Sequence, residues 1–295
     1  MNNLLKPPIQ PMLLTTKEKP FNSKEHYFEF KWDGFRCIIF ITKNKVYLQS
    51  RNQNNLTEYF PELKNLPSHF KTNNIILDGE ICYFTENGKQ NFHFLQSKLK
   101  NKKTKKFTTY IAWDILDCDN YKNIFNLPLS QRRKYLKKSI KKESILFQLS
   151  PIFKNCGKKL YKTAREEKME GIVAKKIDSP YIFKRSSFWK KIKIWQYKKI
   201  LIGGYTKKKS LLVGKNFKGK LHYRGKVKIN LNKIEKTALF NYLPELQIST
   251  SPFLNIQKKQ NNTIWIKPVI KAEVKYTGLT PDKKFRHGYL ESLII

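Results

Sequence analysis

The chain has 295 residues, 60 Lys and Arg against 22 Asp and Glu, and a formal charge of +38. With 40% hydrophobic and 14% aromatic residues it can bury real cores, which excludes whole-chain disorder, and its length allows one large domain or two ordinary ones. No stretch approaches ~20 uninterrupted apolar residues, so no helical membrane span is expected, and the four cysteines (Cys37, Cys82, Cys118, Cys156) are too scattered for a zinc site or a disulfide framework.

Scattered thiols of this kind fit a reducing, intracellular setting. The opening MNNLLKPPIQPMLL has one Lys, three prolines and no long apolar core, so it does not read as a signal peptide. The charge points to a polyanion, nucleic acid before an anionic membrane, because no amphipathic basic helix stands out. Codon bias is the bland alternative: it explains 52 Lys against 8 Arg, but not the scarcity of Asp and Glu. The excess is spread along the chain, 39 basic and 17 acidic side chains in 1–196 and 21 and 5 in 197–295. Where lysine suffices this chain uses lysine, so each arginine is a candidate for a site that needs a planar, bidentate fork.

In chain order, YFEFKW, RCIIFIT and KVYLQS within 27–50 predict successive strands, parted by the turn signals DGF and KNK. IILDGEICYF (75–84) and FTTYIAWDIL (107–116) predict two more, with helical spacing in NFHFLQSKLKN between them. Helices are predicted over 129–142 and 155–169, then strands over 170–177 and 188–195. From about 197 the pattern changes to short strands parted by glycine-containing turns, with one helical stretch, NKIEKTALFNYL, and an exposed polar loop over 255–263. The expectation is an α+β domain over 1–196 with buried antiparallel sheet, then a small closed five-stranded β-barrel of the oligonucleotide-binding (OB-fold) kind over 197–295.

The sharpest motif is Lys31-Trp32-Asp33-Gly34-Phe35-Arg36, where one strand turns into the next. Alone it could be an Asp-Gly β-turn with solvated flanking charges. It is followed in order by Ser50-Arg51-Asn52, Leu77-Asp78-Gly79-Glu80, Tyr110 to Asp114, Glu170-Gly171-Ile172-Val173-Ala174-Lys175 and Trp189-Lys190-Lys191-Ile192-Lys193. In order and spacing these resemble the nucleotidyltransferase (adenylation) motifs of ATP-dependent DNA ligases, and most of all the ligase domains of bacterial end-joining enzymes, from Pro11 to about Leu293.

The resemblance implies that Lys31 is the nucleophile, taking AMP from ATP and passing it to the 5′-phosphate of a nick. A lysine is protonated at neutral pH and must lose that proton to attack, so Lys191, Lys193 and a metal ion are expected to lower its pKa. By the same resemblance Glu29 reads the adenine amino group, Trp113 stacks on the base, Glu80 lies near ribose and metal, and Glu170 binds the metal, Mg²⁺ or Mn²⁺. Arg36 matches a nucleotide contact, with a bidentate phosphate role, and Arg51 a contact to the nick 5′-phosphate. Lys191 and Lys193 complete the ATP site. Residue by residue the ordinary alternatives are an edge-strand glutamate for Glu29 and core packing for Trp113. Asp33 and Asp78 read as turn formers, and the five histidines as structural or surface residues.

Two departures stand out. Phe183 occupies a position that is usually glycine, and the final motif, which in the family helps orient pyrophosphate, keeps Arg286, expected here as a DNA contact, but has Ile294 where a second arginine is expected. The predicted partners are nicked duplex DNA and a Ku-like end-binding protein. The predicted state is a cytoplasmic, nucleoid-associated monomer whose barrel moves about a hinge near 194–198. A sister RNA ligase or RNA-capping guanylyltransferase is the nearer rival, and a non-catalytic nucleic-acid-binding relative the other.

Overall fold

A computed structural model describes residues 5–43, 45–101, 107–119, 121, 123–256 and 262–294. The chain divides into two compact units, Met1–Ile194 and Trp195–Ile295. The expected junction after 196 lies two residues further on.

The first unit contains β1 (Leu13–Thr16), β2 (His26–Phe30), β3 (Phe35–Thr42), β4 (Lys45–Ser50), β5 (Ile75–Cys82), α1 (Phe92–Lys100), β6 (Thr109–Cys118), α2 (Leu129–Ser139), β7 (Phe147–Leu149), β8 (Phe153–Lys154), α3 (Gly157–Glu166), β9 (Gly171–Lys176) and β10 (Arg185–Lys193). They form two five-stranded sheets, one ordered β1-β10-β9-β2-β8 and the other β4-β3-β5-β6-β7. Most pairings are antiparallel, as expected, but β1 runs parallel to β10 and β7 parallel to β6.

The layering explains the composition of the strands. In β3, Cys37, Ile39 and Ile41 pack with Leu63, Leu66, Leu95 and Leu136 from the helical side of the second sheet. The alternate residues Ile38 and Phe40 pack against Trp189 of the first sheet. A strand buried on both faces reads as a continuous apolar run rather than an alternation. On its outer face the first sheet is covered by Leu160 and Ala164 of α3, against Phe28, Ile172 and Ile192. The Asn91 side chain caps α1 by accepting from the Phe94 N–H at 3.1 Å. Phe183 packs edge-on to Phe125 and Tyr181 at 5.3 Å, so the bulk found where glycine was expected fills an aromatic cluster.

The second unit contains β11 (Gln196–Thr206), β12 (Leu211–Phe217), β13 (Lys220–Ile229), α4 (Lys233–Tyr242), β14 (Gln247–Ile248), β15 (Thr263–Ile266), β16 (Lys271–Tyr276), β17 (Gly278–Leu279), β18 (Phe285–Arg286) and β19 (Tyr289–Ile294). Strands 12-13-19-16-11 are neighbours in that order, and β11 also pairs with β12, which closes a five-stranded barrel. This is the OB-fold arrangement expected. Inside lie Ile200, Ile202, Leu211, Val213, Val227, Val274 and Leu290, and Leu239 of α4 also joins the core. A capping box between Asn232 and Glu235 starts α4. Pro268 lies between β15 and β16, where it cannot donate to a sheet ladder. Residues 257–261 of the expected exposed loop lie outside the described residues.

Candidate active site

The motif residues of the first unit converge from both sheets. Lys31 follows β2, and its backbone N–H donates to Gly171 O at 2.9 Å, which docks the motif lysine against the start of β9. Glu170 directly precedes β9, and Lys193 ends β10 in register with Gly171. The result is a triad of charges: Lys31 Nζ is ion-paired with Glu170 Oε2, and Lys193 Nζ lies 3.7 Å from Glu170 Oε1.

Two glycines permit this closeness. Gly171 has φ +152°, and a Cβ there would meet Ile192 O at 2.2 Å. At Gly34 a Cβ would meet Ile81 O at 2.2 Å and Glu80 Cγ at 2.8 Å. The glycine of the Lys31 motif therefore lets Glu80, on β5, approach the nucleophile from the second sheet.

The protein groups around Lys31 set its charge state. Burial works to lower the Lys31 pKa, but the carboxylates of Glu170 and Glu80 outweigh it and the net shift is upward. Lys31 rests as an ammonium, and its cationic neighbours do not make it a free amine. Lys191 does titrate low, from burial first and then from Lys193, Lys31, Arg185 and Arg51. That cluster brings Arg51 within electrostatic reach of the Lys31 site. The Glu80 carboxyl is pushed up to about 8 by burial, with Lys31 and Arg36 opposing the shift.

Arg36 makes a contact that the sequence did not show. Its Nε and Nη2 grip Asp78 Oδ1 and Oδ2 at 3.0 and 2.6 Å, and Tyr181 OH donates to Asp78 Oδ2 at 2.9 Å. The bidentate fork is thus spent inside the protein rather than on phosphate. Asp78, expected at a turn, is a fully buried mid-strand residue of β5. Burial alone would ease the Arg36 proton off, but Asp78 more than offsets this and holds the guanidinium charged. Its guanidinium carbon lies over the Trp113 ring, 5.6 Å from the centroid.

Around Trp113 the structure builds an apolar and cationic wall. Lys175 Nζ lies 5.0 Å from the Trp113 ring, 4.5 Å from the Trp189 ring and 2.8 Å from Glu29 Oε1. Glu29 and Lys175 are both buried, and burial pulls the Lys175 pKa down. Among the described residues, Glu29 Oε1, Lys175 Nζ and Trp113 Nε1 are buried without an aligned hydrogen-bond partner. Sequence reasoning quoted Lys175 within its motif but gave it no role, because a lysine on an apolar strand shows its partner only in three dimensions.

Of the expected set, Glu29, Lys31, Glu80, Trp113, Glu170, Lys191 and Lys193 gather in the first unit with Arg36 beside them. Arg286 lies in the second unit on β18, where its carbonyl accepts from Thr277 N–H at 3.1 Å. Ile294, in the place of the expected second arginine, ends β19.

A family model described as "ATP dependent DNA ligase domain" matches residues 11–193, and one for the "ATP dependent DNA ligase C terminal region" matches 205–293. The chain belongs to the ATP-dependent DNA ligase family. This ligase-family chain is 34% identical over 201 residues to the SPbeta prophage-derived DNA ligase-like protein LigB of Bacillus subtilis, covering 68% of this chain and 73% of that one. It is 28% identical over 288 residues to the multifunctional non-homologous end joining protein LigD of Mycolicibacterium smegmatis, covering 94% of this chain but only 37% of LigD. Among solved structures it resembles mycobacterial DNA ligase D complexed with ATP and MES, with a TM-score of 0.59, 26% identity and coverage of 97% and 95% of the two chains. Membership favours DNA ligation over the RNA ligase and capping alternatives. No helix among the described residues is long and apolar enough to cross a membrane.

Proposed function

We propose that this chain seals 5′-phosphate/3′-hydroxyl nicks in duplex DNA through a covalent lysyl-AMP on Lys31. The observation that carries the reading is the convergence of Lys31, Glu170, Lys193 and Glu80, in the same unit that joins Trp113 to Glu29 through Lys175.

Lys31 Nζ would form a bond to the ATP α-phosphorus as the bond to pyrophosphate breaks. AMP would then pass to the nick 5′-phosphate, and the 3′-hydroxyl would displace AMP to leave a phosphodiester. Since Lys31 rests as an ammonium paired with Glu170, this pair must open before attack. Lys191 and Lys193 supply positive charge where the α-phosphate develops negative charge. Glu29 would accept from the adenine amino group, Trp113 would stack on the ring, and Arg36, locked on Asp78, would frame the base through its position by Trp113. Arg51 would take the nick 5′-phosphate.

Glu170 and Glu80, whose charges feel each other, are the hard oxygen donors that would hold a divalent ion, and no third Asp, Glu, His or Cys gathers with them among the described residues. Mg²⁺ or Mn²⁺ held there would offset phosphate charge. Arg286 would act on pyrophosphate in the first step, and Ile294 favours a slow version of that step. The likeness to LigD extends the proposal to break repair by end joining, with a Ku-like end-binding protein as partner.

The test is incubation with α-labelled ATP and Mg²⁺, followed by a chase with nicked DNA. Label should attach to the wild-type chain, leave on addition of nicked DNA but not nicked RNA, and be absent from Lys31→Ala. Label retained by Lys31→Ala overturns the assignment.

A further inference from the structure

Ser150 sits where the chain leaves β7 of the second sheet for β8 of the first, and it is fully buried. Every polar atom it owns is engaged. Its N–H donates to Ala112 O at 2.8 Å, and its carbonyl accepts from Arg133 Nη2 at 2.5 Å. The second nitrogen of that guanidinium, Nη1, donates to Trp113 O at 3.0 Å, so one arginine on α2 fixes Ser150 and Trp113 together. Trp32 Nε1 donates to the Ser150 hydroxyl at 3.1 Å, and the hydroxyl reaches Glu29 Oε2 at 2.8 Å.

The direction of these last two bonds is forced. An indole N–H can only donate, so the Ser150 oxygen is the acceptor toward Trp32. The hydroxyl has a single hydrogen, and its other neighbour is a carboxylate, which accepts. That hydrogen therefore points at Glu29 Oε2. Glu29 Oε1 is turned to Lys175 Nζ at 2.8 Å, and with that one ion pair on it the oxygen keeps a lone pair to spare. A buried acceptor held this way welcomes an N–H donor and repels a carbonyl oxygen, and a missed pairing in such a site costs more than a made one contributes.

We propose that Ser150 is a positioning residue for nucleotide choice: it turns Glu29 so that Oε1 faces the base, and thereby makes the site take a 6-amino purine nucleotide over a 6-oxo one. The inference rests on the reading that Glu29 faces the base. Trp32, next to the nucleophile in sequence, orients the hydroxyl and so links base reading to the strand end that carries Lys31.

The test compares ATP with inosine triphosphate in the full chain, by rate of covalent labelling and, in parallel, by equilibrium binding of each nucleotide. Wild type should favour ATP in both. Ser150→Ala should cut the ATP-to-ITP preference about tenfold, through a higher KM for ATP with the saturating labelling rate kept within about twofold. Ser150→Thr, which keeps a hydroxyl, should restore the preference. Trp32→Phe, which keeps the ring but frees the hydroxyl to rotate, should fall between, and it decides the matter where Ser150→Ala does not fold. An unchanged preference in Ser150→Ala or Trp32→Phe overturns the role of Ser150 while leaving Glu29 in place. Equal use of ATP and ITP by wild type overturns both, and binding preference without any covalent label sinks only the lysyl-AMP reading.

Discussion

Lys31 and Glu170 neutralise each other: the motif lysine and the carboxylate before β9 form an ion pair that Lys193 flanks at 3.7 Å. The resting nucleophile is thus both protonated and engaged. Because its pKa is shifted upward, the reactive amine is a minor species at neutral pH. Each unit of pH below that pKa cuts the amine fraction tenfold. Self-adenylation at limiting Mg²⁺ should therefore climb steeply from pH 6 to pH 9. Glu170→Gln should move the rise to lower pH and lower the plateau, since the pairing charge and a metal oxygen are both lost. Timed capture of labelled AMP across pH reads this, and a flat wild-type profile contradicts it.

The Arg36–Asp78 pair makes a separate prediction, about stability. Both groups are buried and bidentate, with Tyr181 as a third member. Removing one partner strands the other charge, which costs about 3–5 kcal/mol. Asp78→Leu should lower the unfolding free energy by that amount, and Arg36→Met with Asp78→Leu should cost less than the two single changes summed. Denaturant titration of the four proteins measures the coupling.

Acid should weaken the fold through two histidines. His26, beside Ser23, and His69, beside Ser144, are buried and titrate low, mainly because burial disfavours the charged ring. Unfolded histidines take up protons near pH 6.5, before the folded ones do. The unfolded state then binds more protons, so stability is fully present above about pH 6.5 and falls as pH drops through the folded values. Melting temperature should decline between pH 7 and pH 5, and His26→Asn/His69→Asn should flatten that decline.

The barrel carries its own expectation. From Trp195 to Ile234 there are 12 basic and no acidic residues. The β12–β13 hairpin ends in Lys215-Asn216-Phe217-Lys218-Gly219-Lys220, all exposed, turning through Lys218 and Gly219 at φ +50° and +73°. Each lysine that meets a phosphate adds about 0.9 to the salt slope of duplex binding. Replacing Lys215, Lys218 and Lys220 by Gln should reduce the slope of log affinity against log salt by roughly 2–3 if all three make contact, with lysyl-AMP formation unaffected. An unchanged slope removes this hairpin from the DNA surface.

Much of this was legible in the sequence because it is local. The Lys31 motif lies at a strand end, the strands of the second unit alternate clearly, and α1 and α4 carry periodicity with good caps. Other features were not local. Asp78 reads as a turn former from its Asp-Gly neighbours, but its partner Arg36 is 42 residues away. Lys31 was expected to feel mainly cations, whereas the fold also places Glu170, 139 residues distant, in contact with it. The 3-10 helix over Pro61–His69 carries a proline at its start and Pro67 within it, which argue against a helix in the sequence, and β1, β7 and β8 are too short to announce themselves without the sheets they join. Ser150 is the extreme case: one serine in FQLSPIF whose importance exists only as geometry.

Gly34 and Gly171 bear on how this chain can vary. Both stand where a single methyl group would collide with backbone oxygen at 2.2 Å, one under Glu80 and the other beside Glu170. Backbone cannot swing aside as a side chain does, so an alanine at either position would wedge neighbouring strands apart and carry a carboxylate away from Lys31. Such a variant could remain folded on its large cores and yet be inert. Drift is therefore open to most of this lysine-laden exterior and closed at two of the smallest residues in the chain.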